Sequence, residues 1–284
     1  MKNAFRQIKN YDWLLMGAVL LLMSMGLLSL FSLSEVSIFA YFQRQLLWIT
    51  VGIIFLVFFS TIDFRIFKTQ SFLVFLFYTI IVALLASLLL VGLKVRGHEA
   101  WFKFYSLSFQ PVEAAKLALI ILLAKFFSKR HIEIYRLQHL IVSGIYLGIP
   151  TILVLLQPDL GSAIILISIW LAIVIFSGMK FRHILLLGLI IVVVSTAAWR
   201  FALKPYQKAR INTFLNPYED PRGTGYQMIQ SMIAVGSGRV WGKGIGYGSQ
   251  SHLNFLPEAE TDFIFATYAE EWGLVGVGIM LLAF

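Results

Sequence analysis

Asp262 is the residue of this sequence whose type and position most favour chemistry. It closes the segment 201–262, which separates two strongly apolar regions. A carboxylate in such a place can act as a general base that takes a proton from a hydroxyl group. The other interpretation that the sequence leaves open is structural. In that case Asp262 only caps the helix that follows, and Thr261 shares this role.

Three further ionisable residues, Glu113, Lys116 and Asp159, interrupt otherwise apolar segments. Glu113 and Lys116 are three residues apart, so on a helix they share one face and can form an ion pair. Ionisable groups inside a membrane span are costly and usually pair with one another or line a cavity, and the two roles are compatible. Asp159 follows a proline that cannot continue a helix. Its carboxylate is expected to cap the next helix or to join the same cavity.

Arg210 and Lys243 are cations of the segment 201–262 that could bind an anion. Lys243 lies in the stretch Gly236–Gly248, whose many glycines permit close approach of the backbone to a ligand. Arginine binds phosphate as a bidentate fork and lysine as a point charge, which suits a headgroup such as a pyrophosphate. Alternatively, both residues only contact the headgroups of surrounding lipids. The spacing of a nucleotide-binding P-loop is absent.

The elements that must position these residues are membrane helices. The chain has 59% hydrophobic and 13% charged residues and a mean hydropathy of +0.84, whereas a soluble domain is about a quarter charged. Apolar runs near the roughly 20 residues that cross a bilayer recur along the chain. We therefore predict an all-α fold, a polytopic bundle of transmembrane helices. The predicted spans are Trp13–Ser34, Gln45–Ile62, Thr69–Leu93, Phe109–Ser128, Leu137–Gln157, Leu160–Met179, His183–Trp199 and a last one from about Phe263.

We interpret residues 1–284 as a single membrane domain in which 201–262 is a long loop before the last span. That span stops in mid-run at Phe284, so we expect the chain to be cut short. Within the loop, Tyr226–Val235 has apolar residues at helical spacing and no charge. We expect it to form an amphipathic helix that lies on the membrane surface or over a pocket.

The net charge of +9 is best interpreted as a topology signal rather than as affinity for nucleic acid. Lys and Arg residues flank the ends of the spans unequally, and the positive-inside rule then favours a cytoplasmic N-terminus. The inner set is Lys2, Arg6, Lys9, Arg65, Lys68, Lys125, Lys129, Arg130, Arg136, Lys180 and Arg182, and the outer set is Arg44, Lys94, Arg96 and Lys103. With this orientation Glu113, Lys116, Asp159 and Asp262 can converge at one outer pocket.

Seven short motifs occur along the sequence in this order: Phe109–Lys116, Gln157–Gly161, Gly225–Gln227, Gln230-Ser231, Gly236–Gly238, Gly242–Gly244 and Phe255–Ala266. Together they resemble the motifs of the SEDS family (shape, elongation, division, sporulation). Val112 and Glu260 depart mildly, since serine and histidine are common at these positions of the family. Details near Phe214–Pro217 and at Phe255 resemble its RodA group more than its FtsW group.

The resemblance implies a ten-span peptidoglycan glycosyltransferase of the bacterial cytoplasmic membrane, with two spans after Phe284. Its active site is extracytoplasmic and joins lipid II to a nascent glycan strand during cell elongation. The implied partners are a class B penicillin-binding protein, which crosslinks the strands, and the elongation machinery. Asp262 matches the essential aspartate of the family, Glu113 and Lys116 its paired residues on the fourth span, and Asp159 the acid of its Gln-Pro-Asp motif.

The implied mechanism makes Asp262 the general base on the 4-hydroxyl of the acceptor sugar. Lys116, Arg210 and Lys243 are candidates to stabilise the leaving pyrophosphate, and a divalent cation, Mg²⁺ or Mn²⁺, held by Asp262 is another source of that charge. Two other functions stay open. A lipid II flippase also places polar residues inside a bundle, and a non-catalytic scaffold would only activate the penicillin-binding protein.

Overall fold

The structure, a computed structural model, describes residues 12–33, 39–91, 93–95, 98–104, 107–128, 137–178 and 180–284. The chain divides into two compact units. The first unit comprises Met1–Ile62 together with Ala197–Phe284, and the second comprises Asp63–Thr196. The long elements of both units are helices, which confirms the all-α bundle that the sequence predicts.

Eight of the α-helices in the described residues coincide with the predicted spans. Six of them are long and apolar enough to cross a membrane, namely α1, α2, α4, α6, α8 and α12. Two more match predicted spans: α5 carries three charged side chains and α7 has 17 residues. In chain order the helices are α1 Trp13–Leu33, α2 Phe39–Ser60, α3 Arg65–Thr69, α4 Ser71–Val91, α5 Pro111–Ser128, α6 Leu137–Leu156, α7 Leu160–Phe176, α8 Phe181–Ala197, α9 Pro205–Leu215, α10 Tyr226–Ser237, α11 Ser249–His252 and α12 Ile264–Ala283.

The second unit is built around one apolar core to which α4, α5, α6 and α7 contribute. Leu85 of α4, Leu119 and Leu123 of α5, Val154 of α6 and Leu166 of α7 are fully buried in it. Since lipid chains are as apolar as these residues, helices associate in a bilayer through close packing and interhelical hydrogen bonds. Such bonds are present: the Tyr78 hydroxyl donates to the Tyr146 carbonyl at 2.7 Å, the Trp170 indole to Ser143 Oγ at 3.1 Å, and Gln157 Nε2 to the Leu85 carbonyl at 2.9 Å.

A small antiparallel sheet precedes α5, between the predicted spans Thr69–Leu93 and Phe109–Ser128, where no strand was predicted. Strand β1 (Leu93–Val95) pairs with β2 (His98–Phe104), and β2 pairs with β3 (Leu107–Phe109). The segment is rich in aromatic residues, which favour strands. Because β3 ends two residues before α5 begins, the sheet leads directly into the helix that carries Glu113 and Lys116.

The first unit places α1 against α2 and α12, and α10 against α12. Its core contains two alanines at the contact between α10 and α12, Ala234 and Ala266, together with Leu33 of α1. Small side chains permit close approach of two helices. Leu256 and Ala259, which precede Asp262, are buried in the same core. The end of the segment 201–262 is therefore packed onto the helices.

Truncation of Leu119 tests the core of the second unit. Leu119→Ala removes a fully buried side chain, and we expect a loss of about 2–4 kcal/mol of stability, because the cavity forfeits packing contacts. The thermal unfolding midpoint in detergent measures this loss. Leu117→Ala is the matched control on the same helix, since Leu117 is exposed. Equal midpoints for the two variants would contradict this description of the core.

Candidate active site

Asp262 is exposed and lies directly before α12, where it lines a cavity of about 470 Å³. The capping role that the sequence left open is not observed. The N-cap residue of α12 is Phe263, with no side-chain cap, and Thr261 Oγ1 donates instead to Glu258 Oε2 at 2.9 Å. Within the part of the chain that the structure describes, no hydrogen bond reaches the Asp262 carboxylate. Both of its oxygens are therefore open to a substrate or a cation. The remaining lining residues are Ser231, Met232, Val235, Gly236, Phe263, Phe265 and Ala266.

Arg210 lines a second cavity, of about 440 Å³, between α9 and the first turn of α10. Met228 of α10 lines this cavity, and Ser231, Met232 and Val235 line the cavity of Asp262. These four residues stand at positions i, i+3, i+4 and i+7, so they share one face of α10. The two cavities therefore border the same helix face. The sequence predicted an amphipathic helix at Tyr226–Val235, on the membrane surface or over a pocket, and the helix itself is present as α10.

Lys243 already has an anionic partner inside the protein. Its Nζ lies 2.7 Å from Glu270 Oε1 and 2.8 Å from Ser249 Oγ. Glu270 is fully buried in α12 and also accepts the backbone N–H groups of Gln250 at 3.0 Å and Ser251 at 3.2 Å. A buried carboxylate requires such partners, because desolvation penalises its charged form. The predicted role of Lys243 towards a pyrophosphate would have to compete with this ion pair.

The neighbouring acid, Glu271, is buried as well and connects three segments. It accepts hydrogen bonds from Ser32 of α1 and from the backbone N–H of Gly246 at 3.0 Å. His252 Nε2 lies 3.2 Å from the same carboxylate. Because each contact comes from a different part of the chain, Glu271 ties α1 and α11 to α12.

The stretch Gly236–Gly248, called the glycine-rich segment below, packs against a break in α12. Gly273 has φ 63° and ψ −165°, a conformation that is nearly exclusive to glycine. The break frees backbone groups of α12, and the segment supplies their partners. The close approach that its glycines permit is thus made to the backbone of α12. The bonds run from Lys243 N–H to the Glu270 carbonyl (3.0 Å), Gly244 N–H to the Glu271 carbonyl (3.0 Å), Leu274 N–H to the Arg239 carbonyl (2.9 Å) and Val275 N–H to the Val240 carbonyl (3.1 Å).

Sequence reasoning did not select Glu270, Glu271, Ser32 or His252. One signal was available, since two adjacent acids stand inside the apolar run that forms α12. Ionisable groups in such a run are expected to have partners. The identity of those partners has no sequence signature, because Ser32 and Glu271 are far apart in the chain.

The other predicted residues belong to the second unit. Lys116 Nζ lies 2.6 Å from Glu113 Oε2, so the predicted ion pair is present. Asp159 caps α7, as predicted, by accepting the N–H of Ser162 at 3.0 Å and its hydroxyl at 2.7 Å. The predicted convergence of these residues with Asp262 would join the two units, and it stays a prediction.

The sequence profile of the FtsW/RodA/SpoVE family, described as "Cell cycle protein", matches residues 12–284. This chain belongs to that family. Stage V sporulation protein E of Bacillus subtilis (strain 168) is 34% identical over 283 residues, which cover 96% of this chain and 76% of that protein. The peptidoglycan glycosyltransferase MrdB of Escherichia coli (strain K12) is 40% identical over 207 residues, 72% of this chain. That match covers 55% of MrdB, about half of its length.

Solved structures agree with this membership. One chain of "Structural coordination of polymerization and crosslinking by a peptidoglycan synthase complex" is 31% identical, with a TM-score of 0.76. The match covers 96% of this chain and 75% of that one. Both the sequence and the fold of this chain therefore confirm the family resemblance that the motifs predicted.

Replacement of Gly273 tests the break in α12. Gly273→Ala places a Cβ against Val240 and Gly242 and forces a strained backbone, so we expect a loss of at least about 1–3 kcal/mol. Gly278→Ala is the control on the same helix, because a Cβ there meets open space. Thermal unfolding in detergent compares the two variants. An unchanged midpoint for Gly273→Ala would contradict the close contact between the glycine-rich segment and α12.

Proposed function

We propose that this member of the FtsW/RodA/SpoVE family is a peptidoglycan glycosyltransferase that joins lipid II disaccharides into glycan strands. The observation that carries the proposal is Asp262, which matches the aspartate of the family motif and presents to a cavity beside α10 a carboxylate that has no hydrogen-bond partner among the described residues. The name of the relative MrdB supports the same activity. The motif details near Phe214–Pro217 favour a role in cell elongation and shape maintenance.

Asp262 acts in this proposal as the general base of an inverting transfer. Its carboxylate takes the proton of the 4-hydroxyl of the acceptor sugar, and the oxygen attacks C1 of the donor MurNAc. The bond between C1 and the pyrophosphate oxygen breaks, and polyprenyl pyrophosphate leaves with the electron pair. Inversion at C1 gives the β-1,4 linkage. A positioned base typically contributes about 10²–10⁴-fold to the rate.

Arg210 is the cation that we favour for stabilising the leaving pyrophosphate. It is exposed in the cavity that shares a face of α10 with the cavity of Asp262. A guanidinium group can bind two phosphate oxygens at once. Lys243 is a weaker candidate, because it already pairs with Glu270, and Lys116 likewise pairs with Glu113.

A divalent cation would be held by the Asp262 carboxylate together with oxygens of the substrate. Among the described residues no group of three or more His, Asp or Glu side chains is arranged to hold a metal. Mg²⁺ commonly binds one or two carboxylates together with phosphate oxygens and water. Asp262 and the pyrophosphate of lipid II would therefore supply the ligands, and the ion would neutralise charge on the leaving group.

We further propose an extracytoplasmic active site and a crosslinking partner. The excess of Lys and Arg at the predicted inner ends supports a cytoplasmic N-terminus in the bacterial cytoplasmic membrane. That orientation puts the segment 201–262, with Asp262, outside. The similarity to a chain of a complex that coordinates polymerization and crosslinking supports a class B penicillin-binding protein as the partner.

Replacement of the proposed base is the direct test. Asp262→Asn keeps the size of the side chain and removes its basicity, so we expect glycan polymer from fluorescent lipid II to fall by about 10²-fold or more. The assay uses the full-length protein in liposomes with its penicillin-binding protein. Glu219→Gln, an exposed acid of the same long segment, is the control and should polymerise normally.

The same assay separates the alternative functions. Polymer formation that survives Asp262→Asn would contradict the role of Asp262 as base. Transfer of lipid II across the liposome membrane without polymer would favour a flippase. Activation of the partner by both wild type and Asp262→Asn, without polymer from either, would favour a scaffold.

Arg210→Gln tests the stabilisation of the pyrophosphate. We expect polymerisation to fall by about 10- to 100-fold, because a charge-assisted contact to an anion contributes about 1.5–3 kcal/mol and each 1.36 kcal/mol is a factor of about ten. Arg222→Gln is the matched control, since Arg222 is exposed in the same loop but lines neither cavity. Initial rates over a range of lipid II concentrations measure the difference. Equal losses in the two variants would indicate a general effect of charge rather than a role of Arg210 at the site.

A further inference from the structure

The glycine-rich segment exposes large apolar side chains although its backbone is hydrogen-bonded to α12. Trp241 is 80% exposed and Tyr247 is 77% exposed, and Val240 and Ile245 are also exposed. A folded protein seldom leaves a cluster of this kind open to water. A further surface is therefore expected to cover these four side chains.

Hydrogen bonds between backbones show which part of α12 lies beside these four residues. Leu274 and Val275 donate to the carbonyls of Arg239 and Val240, so the cluster lies level with the break at Gly273. The surroundings of α12 change at the same point. Every residue from Ala266 to Glu271 is buried, whereas Leu274 is 66% exposed and Leu282 is 88% exposed. Beyond Gly273 the helix thus presents apolar side chains outward, as a lipid-facing helix does.

The position of the charged groups decides where the bilayer begins. If it began at Ile264, Gly273 would lie about 14 Å deeper, at 1.5 Å per residue. That depth is close to the middle of a hydrocarbon core of about 30 Å. Glu270 and Lys243 would then lie where ionisable groups are most costly. A boundary at Gly273 avoids this cost and leaves only the apolar residues that follow it in lipid, so the lipid-facing part of α12 would begin later than the predicted start of the span at about Phe263.

We propose that the segment Arg239–Tyr247 is a membrane-binding loop that inserts Trp241 and Tyr247, with Val240 and Ile245, into the interface of the phospholipid bilayer. Tryptophan and tyrosine concentrate at that interface, because their rings are apolar and their N–H and O–H groups remain hydrated. Arg239 adjoins the cluster, is exposed and has no carboxylate partner among the described side chains, so it is available to lipid phosphates.

The chain contains no cysteine, so a single cysteine can carry a label that reports membrane depth. Trp241→Cys is labelled with a fluorophore and reconstituted into phosphatidylglycerol and phosphatidylethanolamine liposomes. Lipids with a doxyl quencher near the headgroup or near the chain end, and iodide in the water, probe its surroundings. Tyr218→Cys is the control, because Tyr218 is exposed in a polar turn of the same unit.

We expect the shallow doxyl lipid to quench the label at Trp241→Cys about threefold more than the label at Tyr218→Cys, because interfacial residues lie near the headgroups. Shallow quenching should also exceed deep quenching. Stronger quenching by the deep lipid, iodide access equal to that of Tyr218→Cys, or protection from all quenchers would each overturn the proposal. Protection from all quenchers would mean that a protein surface covers the loop. Tyr247→Cys is measured in parallel, so that misfolding of one variant leaves the other.

Discussion

The first unit depends on one constraint, which is that α12 breaks at Gly273, two residues after the second of two buried carboxylates. Both the freed backbone groups and the two acids need hydrogen-bond partners, because unpaired polar groups in a protein interior or in lipid are costly. Three segments contribute: Ser32 of α1, the glycine-rich segment and α11 all donate to this part of α12. The positions of these segments follow from satisfying α12.

The same arrangement distinguishes three acids that look alike in the sequence. Glu270 and Glu271 are buried and partnered, so they hold segments together. Asp262 lies just before the helix that carries these two acids, but its carboxylate is exposed and has no hydrogen-bond partner among the described residues. The backbone before it is fixed by buried Leu256 and Ala259, so the position of Asp262 in the chain is set by its neighbours rather than by contacts of its carboxylate. An acid that is positioned but unpaired can accept a proton from a substrate.

Much of the fold could be predicted, because the length and apolarity of a span are properties of contiguous residues. The eight helices that match predicted spans show this, as do the Asp159 cap and the Glu113–Lys116 ion pair, whose partners lie three residues apart. The sheet at 93–109 was missed because its strands are defined by hydrogen bonds between segments, and an aromatic-rich composition does not specify which segments pair.

The sequence by itself determined the class of fold, the family and the acid to examine first, because hydropathy and motifs are read along the chain. Only the tertiary structure decided that Lys243 pairs with Glu270, that Asp262 does not cap α12, and that the glycines approach a helix backbone. The physical reason is the same in each case. The partner of a charge or of a freed backbone group is chosen by residues that meet only after folding.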